Sequence, residues 1–259
     1  MGLGLGNTLT KYPAKYATLP HITISDCVLA FYADIESSTT LVPTALQFWL
    51  DQAGVAANPV AASAGGTAGG PAGLRPAVTG SGVDRAVVFD GGSDRLDIIS
   101  NNAAYETILD TSDGGWTVVI IATSDDWDGG QQAYVGDRDT SNHFIRHASS
   151  ANQFRVKVAA ENNDIDLDTP SSLTDGQYYC IQVDCTADGN TITLYIDGVA
   201  QSDTESLANN TKDLTIESIG HRANTDLVDG GIKSIVVFDR ILTSDERGII
   251  NDWAAPYIG

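Results

Sequence analysis

The chain is 259 residues long and strongly acidic, with 14 Lys+Arg against 34 Asp+Glu and a net charge of −20. That charge repels phosphate backbones and anionic headgroups, which argues against nucleic acid and membrane surfaces as partners, while 42% hydrophobic residues exclude wholesale disorder. No apolar run reaches bilayer length, and the first residues lack the basic-then-apolar order of a secretion signal.

Residues 1–24 read as an extended arm. Beyond the alternation Gly2-Leu3-Gly4-Leu5-Gly6 they have little apolar periodicity. Ordering such a segment costs much backbone entropy with few side chains to offset it. A neighbouring subunit is the simplest thing to hold it, through Leu3, Leu5, Leu9 and Tyr12. The charge here is nearly balanced, Lys11, Lys15 and Arg75 standing against Asp26, Asp34, Glu36 and Asp51 over the first 75 residues, so nearly all the acidity belongs to the rest.

Residues 25–259 read as one domain of short strands. Cys27–Asp34 and Leu46–Asp51 open it, and an Ala/Gly/Pro-rich stretch, 53–82, follows as a linker or a wrapping loop. Then come Arg85–Asp90, Arg95–Ile99 and the almost wholly apolar Trp116–Thr123, which should lie centrally and be covered on both faces. Gln132–Val135, His143–His147 and Gln153–Val158 are three more strands, the last two alternating in polarity. Gln177–Cys185 and Thr191–Asp197 flank Asp188-Gly189, a strong hairpin signal, and Asp197-Gly198 turns the chain into Val199-Ala200-Gln201. Leu214–Ile219 and Ile232–Phe238 complete the strands. Thr243-Ser244-Asp245-Glu246 starts a helix, with a hydroxyl cap and acids in the first turn. Ile249, Ile250 and Trp253 share one face of it, and Pro256 ends it. The apolar stretches of 118–122, 178–183 and 235–238 should face one another between two sheets about 10 Å apart. Cys180 and Cys185, five apart on one strand, point to opposite faces and cannot bridge.

Four stretches carry a resemblance. Phe31-Tyr32-Ala33-Asp34 with Phe48–Gly54 is similar to an opening "WYDA…WxDxSG". Ala86–Leu96 is similar to an apolar strand followed by "FDG" and a polar turn. Gly176–Tyr179 through Leu194–Val199 is similar to a "W/Y…V…D…LYVDG" hairpin. Ile235–Glu246 is similar to a closing "hIYNRALSDEE" strand-into-helix. Together they make residues 25–259 resemble the concanavalin A-like jelly rolls, in their laminin-G-like branch. The resemblance implies an all-β, two-sheet antiparallel jelly-roll sandwich with a short C-terminal helix behind the N-terminal arm.

Such folds host lectins, glycanases, adhesion modules and structural parts, so function must come from a site. Glycanases on this scaffold resemble one another in a Glu-x-Asp-x-x-Glu strand, which this sequence lacks. Asp164, Asp166 and Asp168 alternate onto one side of a strand but read as a solvated edge. His143 and His147 share a strand face roughly 13 Å apart, too far for one metal, and Cys180 reads as a packed thiol. The expectation is therefore a protein that is not an enzyme. Asp125, Asp126 and Asp128, with Asp137 and Asp139 nearby, form the acidic loop a calcium ion would choose. Glycan binding needs an exposed ring beside polar groups, and Trp127 with Asp128 and Arg138 is the candidate, since Trp49, Trp116 and Trp253 lie in core-like contexts.

Starts of the form "GLGLGxxLT" before a laminin-G-like domain look like those of bacteriophage structural proteins. This resemblance implies a homo-oligomeric structural protein at a virion surface, in the capsid or tail. The arm would dock on other virion proteins and the jelly roll would be displayed, with a host-surface glycan as a further partner. The alternative is a secreted or surface-displayed bacterial carbohydrate-binding or adhesion module.

Overall fold

The computed structural model describes residues 19–35, 39–42, 45–53, 61–64, 75–98, 109, 114–138, 140, 142–148, 153–158, 165–169, 173–186, 191–206 and 213–258. The assembly contacts Leu3, Leu5, Leu9 and Tyr12 lie outside them, as do Asp139 and Asp164. Among the described residues the chain forms a short helix α1 (Pro20–Thr23) and strands β1 (Cys27–Tyr32), β2 (Thr39–Val42), β3 (Ala45–Leu50), β4 (Ala61–Ala64), β5 (Ala77–Thr79), β6 (Ala86–Asp90) and β7 (Leu96–Ile98). It continues with β8 (Gly115–Ala122), β9 (Gln132–Gly136), β10 (Phe144–His147), β11 (Gln153–Lys157), β12 (Ile165–Asp168) and β13 (Tyr179–Thr186). It ends with β14 (Thr191–Ile196), β15 (Val199–Ser206), β16 (Ser218–Ile219), β17 (Asp229–Phe238) and helix α2 (Ser244–Ile258).

All pairings are antiparallel and fall into two layers. The first runs β15–β14–β13–β8–β17, and beyond β17 its two halves pair with β6 and β1. The second runs β2–β3–β4–β7–β16–β9–β10–β11–β12. A single link at the corner, β5 bridging β6 to β3, joins the layers into one hydrogen-bonded network. The expected jelly-roll sandwich is thus present.

The main core lies between the layers and takes Trp116, Val118 and Ile120 of β8, Ile181 and Val183 of β13, and Ile235 and Val237 of β17. Val119, Ile121, Cys180, Val236 and Phe238 point the other way into a second core, closed by Ile250, Trp253, Ala254 and Tyr257 of α2. This explains why β8 is apolar at nearly every position: it is covered by a sheet on one side and a helix on the other. It also corrects one expectation. The apolar stretches of β8, β13 and β17 do not face each other across the sandwich but are neighbours in one sheet. Periodicity shows that a residue is buried, not which residue it is buried against. Cys180 and Cys185 do fall on opposite faces, one in each core.

Three local expectations change. Residues 19–24 form a helical turn with Leu19 and Ile24 buried in the second core, so this end of the arm packs on the body. Leu214–Ile219 yields only the two-residue β16 plus a bridge from Leu214 to Leu109. Helix α2 starts with a capping box, Thr243 and Glu246 exchanging hydrogen bonds, but it runs through Pro256 to Ile258. Tyr257 holds the last turn: its hydroxyl donates to Asp34 at 2.9 Å and its carbonyl accepts from Lys233 at 2.9 Å. The buried face is Ile250, Trp253, Ala254 and Tyr257, leaving Ile249 exposed. At the Asp197-Gly198 turn both residues have positive φ, 50° and 78°, the signature of a type I′ hairpin.

Candidate functional site

Three connections meet at one rim of the sandwich: the turn after β6, the segment between β8 and β9, and the segment between β16 and β17. They enclose a cleft of about 440 Å³ whose polar lining is Asp126, Gln131, Gln132, Asp226 and Asp229, with Gly91, Gly129 and Gly130 as bare backbone.

Each wall is built by local chemistry. In the β6 turn, Asp90 accepts the backbone N–H groups of Gly92, Ser93 and Asp94 at 2.7–2.9 Å. Partial burial opposes ionisation, yet these donors hold its carboxyl down to about 2. Gly91 has φ of 65°, and a Cβ there would lie 2.8 Å from the Asp229 side chain, so glycine lets that carboxylate lie against the turn. Gln132 ties the other walls together. Its Nε2 donates to Ser124 Oγ at 2.8 Å and to the Asp126 carbonyl at 3.1 Å, while its Oε1 accepts the Asp229 N–H at 3.0 Å. Gly129 gives Asp126 room, since a Cβ would lie 2.2 Å from its Oδ2.

The carboxylates differ in their partners. Asp226 accepts from Arg146 at 2.6 Å and from Arg222, and both guanidiniums sit over the Phe144 ring, at 4.6 and 4.4 Å. Asp226 is therefore neutralised and fixed. Asp229 is pushed above the usual carboxylate range by desolvation and by the charges of Asp125, Asp90 and Asp126. The cleft is a convergence of acceptors with net negative charge.

The predicted site residues come out differently. Trp127 is only 1% exposed. Its ring packs against Tyr134, His147, Phe154 and Tyr179, its Nε1 donates to the Thr174 carbonyl at 3.0 Å, and its backbone N–H donates to Asp175. The expected stacking platform is instead the plug that anchors the β8–β9 segment. Asp128 is exposed outside the cleft, and Arg138 lies beyond the far end of β9, where its N–H donates to Glu217 at 3.3 Å. The trio is not brought together. Among the described residues no three His, Cys, Asp or Glu groups converge on a metal position, so Asp125, Asp126 and Asp128 do not make the calcium set their spacing suggested.

Asp166 pairs with Arg155, and Asp168 accepts from Gln153 at 2.8 Å, on the outermost strand of the second sheet. His147 is sealed beside Trp127, whereas His143 sits half-buried just before β10. The Cys180 thiol is pushed up to about 12 by burial and by Asp197.

Sequence reading missed the lining residues Gln131, Gln132, Asp226 and Asp229, because they come from distant segments; the only local signals were the Asp-Gly turns at 90–91 and 128–129. It also missed a buried pair on the second sheet, His221 Nε2 to Asp97 at 2.7 Å, beside Ser218. Ser218 donates to the carbonyls of Gly136 and His221 and all three are sealed from solvent, so as arranged the set offers no reachable nucleophile.

The family model for the concanavalin A-like lectin/glucanases superfamily matches residues 90–246. No curated protein sequence matches the chain. Among solved structures, Trypanosoma rangeli sialidase in complex with a difluoro-KDN aligns at 13% identity and TM-score 0.54, over 90% of this chain and 33% of that one. The same sialidase with sialic acid aligns at 14% and 0.53, over 90% and 34%. The CBM40 of Ruminococcus gnavus IT-sialidase aligns at 15% and 0.49, over 64% and 96%. The chain thus spans about a third of the length of the sialidase chains, and the likeness to them is one of fold.

Proposed function

The chain belongs to the concanavalin A-like lectin/glucanases superfamily, and from that premise we propose that it is a non-catalytic carbohydrate-binding module whose rim cleft takes a neutral glycan. The observation that carries this reading is the convergence of Asp126 and Asp229, from separate segments, on one open cleft whose remaining polar groups, Asp226, Gln131 and Gln132, are held in place by Arg146, Arg222, Ser124 and the backbone. A carboxylate accepts two hydroxyl donors, and neighbouring hydroxyls of a sugar present such pairs. Glycines at 91, 129 and 130 let a ring approach the backbone. The same charge repels anionic sugars, which separates this cleft from the acid ligands named with the sialidases. With no exposed aromatic ring among the described residues of the lining, affinity rests on three or four hydrogen bonds at about 1 kcal/mol each, a Kd on the order of 1 mM. Such a module gains useful strength by presenting several copies.

A glycan array displayed at high valency, with neutral and sialylated members, tests this. Neutral binding that is lost in Asp229→Asn and Asp126→Asn and kept in Asp128→Asn supports the reading. Binding to sialylated members, or to none, overturns it.

One observation favours a glycanase instead: Asp229, raised by burial and neighbouring acids, has the character of a general acid. Against it, Asp226 is committed to two arginines, and Asp126 accepts the Asp128 N–H at 3.1 Å. Release of reducing ends from a bound neutral glycan, abolished by Asp229→Asn, would replace the binding reading. A virion setting rests on the sequence reading alone, and neither the family match nor the structural neighbours lend it support. No helix among the described residues is long and apolar enough to cross a membrane.

A further inference from the structure

On the opposite side of the first sheet from the main core, α1 and α2 pack together and leave a groove of about 410 Å³ lined by Thr23, Ile249, Asp252 and Trp253. Ile22, 48% exposed, and Ile249, 37% exposed, are two of only four large exposed apolar residues among those described, and they belong to these two helices. Asp252 is exposed and makes no ion pair among the described residues. The groove therefore lacks two things: an apolar cover and a cation.

We propose that residues 9–16 of the same chain supply both by lying in this groove. The described chain begins at Leu19, which is buried in the second core together with Trp253, four residues before Thr23 of the groove. Tyr12 is seven residues upstream, within a reach on the order of 20 Å, and the tether makes the local concentration of the segment high. The sequence of 9–16, Leu-Thr-Lys-Tyr-Pro-Ala-Lys-Tyr, offers Leu9, Tyr12 and Tyr16 as cover and Lys11 and Lys15 as cations. Residues 1–18 contain no Asp or Glu at all, in a chain of net charge −20. Their charge complements the body.

Trypsin cleavage after Lys11 and Lys15 in the folded full-length protein tests the docking. Cleavage tracks the open population, so it is expected to be slower by about tenfold or more than in an Ile22→Glu/Ile249→Glu variant. Both substituted side chains are exposed, so the variant should keep its thermal midpoint; equal cleavage rates in the two proteins would overturn the proposal. A second measurement does not depend on that variant. The three native cysteines are buried, so in Tyr12→Cys/Ile249→Cys mild oxidation acts on the new pair. An intrachain disulfide supports the proposal. A disulfide-linked dimer overturns it in favour of a second copy seated in the groove, and no crosslink overturns it outright.

Discussion

The two layers of the sandwich solve burial in different ways. The first sheet is covered twice, by the second sheet and by α2; its central strand β8 is almost wholly apolar, while β13 and β17 bury Gln182, Asp184 and Lys233, with Arg247 and the Tyr257 carbonyl of α2 as partners of the latter two. The second sheet gives one face to the main core and carries polar pairs on the other: Asp97 with His221, Arg146 with Asp226, Arg155 with Asp166. Its connections to the first sheet also build the acidic cleft. In the doubly covered layer the polar groups are spent on α2, whereas the layer covered once places polar groups at an open rim.

The largest expected effect tests whether Trp127 belongs to the core or to the ligand. Trp127→Ala should cost about 3–5 kcal/mol in denaturant unfolding, as for other buried aromatic truncations. If the ring were a sugar platform, stability would hold and binding alone would fall. Next is the buried pair of the second sheet. His221→Leu leaves the Asp97 carboxylate buried without its partner and should cost about 3 kcal/mol, whereas His221→Leu with Asp97→Leu should recover much of that loss. Equal losses in the single and double variants would mean that packing, not charge pairing, holds this face.

The third effect is on pH. Burial pushes the His147 imidazole from 6.5 down to about 4. The unfolded chain therefore takes up a proton below about 6.5 that the folded chain refuses until about 4, so this residue's contribution is complete above 6.5 and falls away as pH drops through that window. Asp51 and Asp94, both raised to about 6 by burial, act in the opposite sense, so a difference measurement isolates the imidazole. Between pH 6.5 and 4 the wild type should lose about 2–3 kcal/mol more than His147→Phe. Parallel pH profiles would show that the imidazole is solvated in the folded state. The smallest effect concerns α2: Pro256→Ala restores a helical N–H and should stabilise by no more than about 1 kcal/mol, read as a small rise in Tm.

The legible parts of this molecule are those in which neighbours in sequence settle the outcome. Trp116–Thr123 could be read as a doubly covered strand because nearly every position is apolar. Asp197-Gly198 could be read as a hairpin because few residues tolerate φ > 0, and Thr243–Glu246 as a helix start because its cap closes within one turn. Trp127 was misread for the converse reason. Three acids and two glycines surround it in sequence, which is the pattern of an exposed loop, but its ring is enclosed by Tyr134 of the next strand and by Phe154 and Tyr179 from strands farther along the chain. Pro256 was misread as a stop because Asp34 and Lys233, which hold Tyr257, are remote from the helix.

From its sequence alone this protein has its strands, its turns, its acidity and its family, since these follow from side-chain alternation, backbone preference and charge, all local quantities. Which sheet each strand joins, which tryptophan is covered, and which carboxylates meet at the rim depend on contacts between residues tens to hundreds of positions apart. Alternation fixes that a side chain turns inward; only the closed sandwich decides what it meets there.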